Sequence, residues 1–354
     1  MSRRYFGVFL AALLLIAGAS LLFFSHGIDP NGDAVGYVDA MSALANPNLL
    51  SLEKGPRDIF AIHRLLTTSL SIEAVRISSY VSGSIVVGWL VWNLILFFLI
   101  NLLWYRLLER MFESARVAFL GGLFFAGNYA MITAGLGNFM DIGGWTFYVL
   151  SLFALFSYTQ TGRKRDLWLS ALAIAVGGLF KENGYVAFVP LTAVLAYESF
   201  PSPLRFLKEI TPLAAIIALP AAIHHWYIYD TYGYYYSYWY RLNQEVYHYP
   251  SRLGEYIKSL GSLLTFLAPL SLIGAVVWIR GLLKKITLTD VFIASVLVSS
   301  IPALMWPGIT QRVLFMVVPG ATLLACLVFK KYERYTPVFF ALLILYLLGA
   351  FCMD

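Results

Sequence analysis

SIVVGWLVWNLILFFLINLLW, residues 84–104, carries no charged side chain over its whole length, and Arg106 follows two positions after its end. An α-helix rises 1.5 Å per residue, so these residues make a rod about 30 Å long, the thickness of a bilayer's hydrocarbon core. A lone strand in lipid would leave its backbone N–H and C=O groups unpaired, so the run reads as a helix. Outward from it, apolar runs closed by charges or turn residues recur at roughly 5–24, 117–134, 142–160, 167–180, 184–199, 211–227, 261–279, 290–306, 313–329 and 335–352. The sequence predicts an all-α polytopic membrane protein of about 11 transmembrane helices.

Composition agrees: 60% of the 354 residues are hydrophobic and 12% charged, with a mean hydropathy of +0.75, against about a quarter charged in soluble domains. A water-soluble enzyme is excluded, and little chain remains for a soluble domain. The run 5–24 follows Arg3 and Arg4 as a signal peptide would, but Leu21, Leu22, Phe23 and Phe24 carry it to spanning length, so a retained anchor is expected. Cys326 and Cys352, the only two cysteines, are expected as free thiols.

With the N-terminus inside, the inner segments hold 16 of the 25 lysines and arginines but 7 of the 19 acids, as the positive-inside rule requires. The formal charge of +6 then reflects topology rather than nucleic-acid binding. The outer side has a long first loop, 25–83, with amphipathic stretches at Ala34–Ala45 and 59–70 suited to the interface, and a second loop at 228–260. We read one membrane domain in two modules: 1–227, which carries the chemistry, and 228–354, which completes the pocket.

Charge close to hydrocarbon persists chiefly where a cavity or partner requires it. Asp29 and Asp33, Asp141, Lys181-Glu182 and Arg312 all stand at span ends on the outer side. Asp29 and Asp33, four apart, suit general-base work if their surroundings separate their pKa values; equally, Asp33 suits the cap of an amphipathic helix. Lys181 offers a cation for a phosphate, with Glu182 to orient it, or a plain ion-paired turn. Arg312 reads the same way, or as a snorkelling interfacial arginine. His63-Arg64 in the first loop is a weaker phosphate candidate. His224-His225 point about 100° apart on a helix and do not form a shared metal site; no metal ligands are assigned, and a divalent cation is left open. Residues 226–249 hold ten tyrosines and two tryptophans, either an interfacial belt or flat faces for sugar rings or isoprenoid chains.

These positions resemble a known family. Gly32-Asp33-Ala34-Val35-Gly36-Tyr37-Val38-Asp39-Ala40 is similar to the acidic first-loop motif of the GT-C membrane glycosyltransferases, such as the protein O-mannosyltransferases and aminoarabinose transferases, in which Tyr follows Asp by four. Asp141 opening a later span, the Lys181-Glu182-Asn183-Gly184 turn and Arg312 running to Pro319 match further elements in the same order. The resemblance covers 1–330. It departs from members with an Asp-Glu pair, so the second acid would be Asp29, Asp39 or Asp141. The resemblance implies inverting transfer of a sugar from a polyprenyl-phosphate donor to a lipid, glycan or protein acceptor on the extracytoplasmic face. Asp33 would be the base, and Lys181 with Arg312 would hold the phosphate, to which the loop residue Arg64 is added as a candidate from its position alone. The absence of an Asn-x-Ser/Thr sequon leans toward a bacterial or archaeal plasma membrane. Rival readings are a glycan polymerase or ligase using lipid-diphosphate donors, which leans on a dominant late outer loop, and a flippase. A flippase predicts charges deep within spans or repeated broken helices, and the sequence shows neither.

Overall fold

Serines stand where the chain turns. Ser84 accepts a hydrogen bond from Val87 N–H and starts one helix, Ser114 accepts from Val117 N–H and starts the next, and Ser202, followed by Pro203, accepts from Arg205 N–H and starts a third. The computed structural model describes residues 3–23, 33–137, 139–239, 241, 252–265, 267–304 and 311–352, and among these it contains helices and no strand. In chain order the helices are α1 (Arg3–Phe23), α2 (Asp33–Ala45), α3 (Pro56–Ser82), α4 (Ile85–Phe112), α5 (Ala115–Ala126), α6 (Asp141–Thr161), α7 (Lys164–Phe180), α8 (Phe188–Ser199), α9 (Pro203–Tyr232), α10 (Arg252–Leu264), α11 (Leu267–Leu282), α12 (Leu288–Val298), α13 (Ile301–Leu304), α14 (Gln311–Leu314), α15 (Val317–Lys331) and α16 (Thr336–Phe351).

Five helical segments are long and apolar enough to cross a bilayer: Arg4–Phe23, Ile85–Phe112, Asp141–Thr161, Pro203–Tyr232 and Glu333–Phe351. The other apolar runs are helical but shorter or broken. The run 117–134 breaks at Gly127-Asn128 and resumes as a π-turn at Met131–Gly135. Asn128 ties the break together, donating through Nδ2 to Leu263 O (2.8 Å) and Tyr346 Oη (2.7 Å) and accepting Ala130 N–H at Oδ1 (3.0 Å). The run 184–199 begins as a 3-10 turn, Glu182–Ala187, and Arg312 lies in the short α14, apart from α15. Hydropathy sums register none of these interruptions, because the residues around each break are themselves apolar.

The molecule has two cores. The larger runs through the bundle, from Phe9 on α1 to Tyr346 on α16. The smaller forms a cap, where Tyr37 and Met41 of α2, Ile62, Leu65 and Val75 of α3, and Trp89 at the start of α4 meet Ile228, Tyr234 and Trp239. The stretch 59–70 is therefore not a helix lying on the interface as expected from its amphipathic pattern: residues 61–68 are all buried. Thr67 and Thr68 donate through Oγ1 to the carbonyls of His63 (2.9 Å) and Arg64 (2.6 Å), and α3 kinks at Thr68 (φ −142°). Position 228 falls in the last turns of α9, and the aromatic residues just beyond it pack into the cap. Cys326 is buried and Cys352 exposed, and neither is bonded to the other.

The helix ends sort into two sets. At one end Arg116 donates to Tyr5 Oη (2.9 Å), Arg110 to Ser157 Oγ (2.7 Å) and Ser114 to Glu333 (3.0 Å), and Lys164 pairs with Glu209 (2.9 Å). The opposite end, under the cap, gathers the start of α6 and the end of α7 because these two helices form an antiparallel hairpin turned at Gly162 (φ +65°).

Candidate functional site

Asp141 is the first residue of α6, where the helix dipole favours a carboxylate. Its approach is fixed from α4: Asn93 Nδ2 donates to Gly137 O (2.6 Å) and Phe139 O (3.0 Å), and Trp89 Nε1 donates to Phe139 O (3.2 Å). The sequence reading took Asn93 as part of an apolar span, yet an amide in mid-run is itself a signal of a polar task. Arg312 Nη1 stands 3.8 Å from Asp141 Oδ2, and its guanidinium lies over the Phe139 ring at 4.6 Å. That separation is too long for a hydrogen bond, and Asp141 Oδ2 is buried without one.

Lys181 follows the last residue of α7. Ser71 Oγ of α3 donates to Phe180 O (2.7 Å), which ties the end of α7 to the cap. Lys181 is 7% exposed and its Nζ lies 3.0 Å from Glu182 Oε2. Burial works against its charge, but Glu182, and beyond it Asp141, outweigh burial and raise its pKa, so it is an ammonium at neutral pH. The glycine of Lys-Glu-x-Gly has a steric reason: a Cβ at Gly184 would strike the backbone of Gly177. Gly144 on α6 likewise leaves room for the side chains of Lys181 and Asn183.

Arg64, on the buried stretch of α3, lies over the rings of Tyr37 (4.8 Å) and Phe60 (5.3 Å). Its neighbour His63 stacks on Trp239, with centroids 4.3 Å apart and planes inclined by 15°, and its Nδ1 meets Tyr234 Oη at 3.1 Å. Burial, followed by the charges of Arg64 and Lys181, pushes the His63 pKa well below 6.5. A neutral, stacked imidazole has no charge to offer a phosphate, and His63 instead supports the aromatic wall behind Arg64.

Tyr37 stands where these groups converge. Its side chain is fully buried, its hydroxyl has no hydrogen-bond partner among the described residues, and it feels Arg64, Lys181, Asp141 and Arg312 together. Burial, the largest influence, raises its pKa against the opposing pull of the cations, so it is a phenol. Three cations therefore face two carboxylates, Asp141 and Glu182, around one buried hydroxyl, an excess of positive charge that suits an anion. Asp33 opens α2 one turn before Tyr37; its side chain, and Asp29 entirely, lie outside the described residues. Asp39 is engaged elsewhere, accepting two hydrogen bonds from Arg57 (2.6 and 2.9 Å) that tie α2 to α3.

Known proteins are similar to this chain over part of its sequence and in its fold. Residues 70–228, a little under half of the chain, match the family described as dolichyl-phosphate-mannose-protein mannosyltransferase. That region includes Asp141, Lys181 and Glu182. The whole fold is similar to ArnT from Cupriavidus metallidurans, whose crystal structure is bound to undecaprenyl phosphate: TM-score 0.62 at 12% identity, covering 97% of this chain. The chain spans 64% of the length of that protein. No curated protein matches it in sequence. The motif likeness is thus accompanied by a family match over residues 70–228 and by a likeness of fold.

Proposed function

We propose that the chain is an integral-membrane glycosyltransferase that moves a sugar from a polyprenyl-phosphate donor to an acceptor hydroxyl. The observation that carries the reading is the convergence of Arg64, Lys181 and Arg312 with Asp141 around the Tyr37 hydroxyl, which has no hydrogen-bond partner among the described residues. The donor's phosphodiester there, and the monoester left after transfer, would be held by the positive charge and give the Tyr37 hydroxyl an acceptor, and the apolar bundle alongside offers an isoprenoid tail a solvent. Asp33 acts as the general base: it takes the acceptor O–H proton, the oxygen attacks the anomeric carbon from the face opposite the phosphate, and the C1–O bond breaks. The configuration inverts, and the polyprenyl phosphate leaves stabilised by Lys181, Arg312 and Arg64. Asp141 orients Arg312 and limits the net charge, so that product phosphate is released.

The apolar runs cross the bilayer about eleven times with the N-terminus in the cytoplasm of a bacterial or archaeal cell, which puts the site on the extracytoplasmic side. The cap of α2 and α3 covers it and excludes water, which would otherwise compete with the acceptor.

The test uses purified full-length protein with a polyprenyl-monophosphate sugar. Asp33→Asn is expected to abolish transfer while donor binding changes little; full activity in that variant would overturn the assignment of the base. Lys181→Ala or Arg312→Ala is expected to weaken donor binding. Preference for a lipid-diphosphate sugar would favour a polymerase or ligase instead.

A further inference from the structure

The chain builds a second concavity against the cap, and nothing above uses it. Gly233 caps α9 in the left-handed region (φ +65°), its N–H donating to Tyr229 O (2.7 Å), and turns the chain back on itself. Residues 234–236 then run beside the helix they have just left. His225, Trp226 and Tyr229 of α9 form one wall, Tyr234, Tyr235 and Tyr236 the other, and Leu66 of α3 the floor of a cavity of about 270 Å³. His224 bonds through Nε2 to Leu65 O (2.9 Å) and holds α9 against α3 at this depth.

Its lining is specific in chemistry. Among the described residues no lysine, arginine or carboxylate contributes, so these give a phosphate or an acidic peptide no charged partner there. Among the described lining residues only Leu66 is aliphatic, whereas an isoprenoid channel would be lined by leucine, isoleucine and valine. What remains is aromatic faces with hydroxyl, indole and imidazole edges, the surface that stacks on the C–H face of a sugar ring and hydrogen-bonds its hydroxyls. The volume is just below the range of drug-sized ligand pockets, which suits one or two sugar rings. An interfacial belt would present its rings outward to lipid; here Tyr229 and Tyr235 stack with centroids 5.5 Å apart across the fold-back and remain about half exposed at its mouth.

Two tyrosines of the cavity also meet His63, the neighbour of Arg64. Tyr234 Oη meets His63 Nδ1, and the His63 ring lies 5.6 Å from Tyr236. One wall thus backs directly onto the residue beside Arg64. We infer that this cavity is the acceptor subsite and that the acceptor presents a neutral sugar there, so the product is a glycan or glycolipid carrying a new glycosidic bond. This rests on the transferase reading above.

The test is binding to the full chain in nanodiscs, read by saturation-transfer NMR with the methyl glycosides of mannose, glucose, galactose and N-acetylglucosamine. Undecaprenyl phosphate binding is measured in parallel. At least one glycoside is expected to bind, and Tyr229→Ala and Tyr235→Ala to weaken it about fivefold to tenfold, the loss of one stacking face. Tyr235→Phe keeps the face and is expected to retain most of the affinity. Undecaprenyl phosphate binding is expected to persist in all three, which also shows that they are folded. No glycoside binding by a wild type that binds undecaprenyl phosphate overturns the inference alone, as does glycoside binding indifferent to both alanine variants. Undecaprenyl phosphate affinity that falls with the tyrosines makes this an isoprenoid groove and overturns it too. Glycoside binding without any polyprenyl-phosphate binding overturns the transferase reading instead.

Discussion

A buried hydroxyl with no partner costs stability, commonly about 1–3 kcal/mol, and is retained where a ligand supplies the missing bond. Tyr37 is such a group, so Tyr37→Phe is expected to leave the apo protein as stable as wild type or somewhat more so, while donor affinity falls. Thermal unfolding with and without polyprenyl phosphate measures both; a variant that loses stability and keeps affinity would make Tyr37 purely structural. His63 gives a pH signature. Its pKa is lowered by burial first and then by neighbouring cations, so the folded state keeps it neutral. Its contribution is complete above the ordinary value of 6.5 and is lost as pH falls below it, because the unfolded chain then gains a proton that the folded one refuses. The unfolding temperature is accordingly expected to fall from pH 7.5 to 5.5, and to fall less in His63→Gln; equal slopes would remove His63 as the source. At this scale the sequence revealed charge type and order. Asp141, Lys181 and Arg312 stood out as charges at span ends, although an ion-paired turn and a snorkelling arginine explained two of them equally well, and the structure brings all three near Tyr37. Asn93 did not stand out, since one amide barely shifts the hydropathy of its run.

Elements bring those residues together, and glycines decide how closely. The 3-10 turn that begins at Glu182, just after Lys181, lies against α7 with Gly184 on the backbone of Gly177, and against α6 at Gly144. Gly184→Ala inserts one methyl where no side chain can yield, and overpacking of this kind costs about 1–3 kcal/mol. The variant is expected to unfold at lower temperature and to bind polyprenyl phosphate more weakly although every charge is intact. Unchanged affinity alongside unchanged stability would mean that the turn is not so tightly seated. The spacing of Lys-Glu-x-Gly announced a turn; that its glycine serves contact with α7 required knowing which helix lies beneath. The cap shows the same limit. Amphipathic periodicity gave α2 and α3 correctly as helices, but it is equally satisfied by a lipid surface and by Trp89, Tyr234 and Trp239, which reach the cap from distant parts of the chain.

At the scale of the molecule, charge and site occupy opposite ends. Arg110, Arg116 and Lys164 make their bonds at one end, while Arg64, Lys181 and Arg312 are drawn inward beneath the cap at the other. The two populations answer to different forces. The first is held at the surface by hydration and sets topology through the positive-inside bias; the second is kept in a low-dielectric site only because carboxylates and rings accompany it. Sequence counting separated them because the bias needs no contacts, only positions relative to apolar runs. The number of crossings is less legible, since runs such as 117–134 and 184–199 are interrupted helices that count as spans by composition but not by continuous length. Orientation is open to direct measurement. In a Cys352→Ser background, which removes the exposed thiol and leaves only the buried Cys326, Glu53→Cys near the cap is expected to react with a membrane-impermeant maleimide on intact cells. Arg165→Cys, exposed at the opposite end, is expected to react only after permeabilisation. The reverse pattern would turn the protein over, put the cation cluster in the cytoplasm, and require a donor displayed on the inner leaflet.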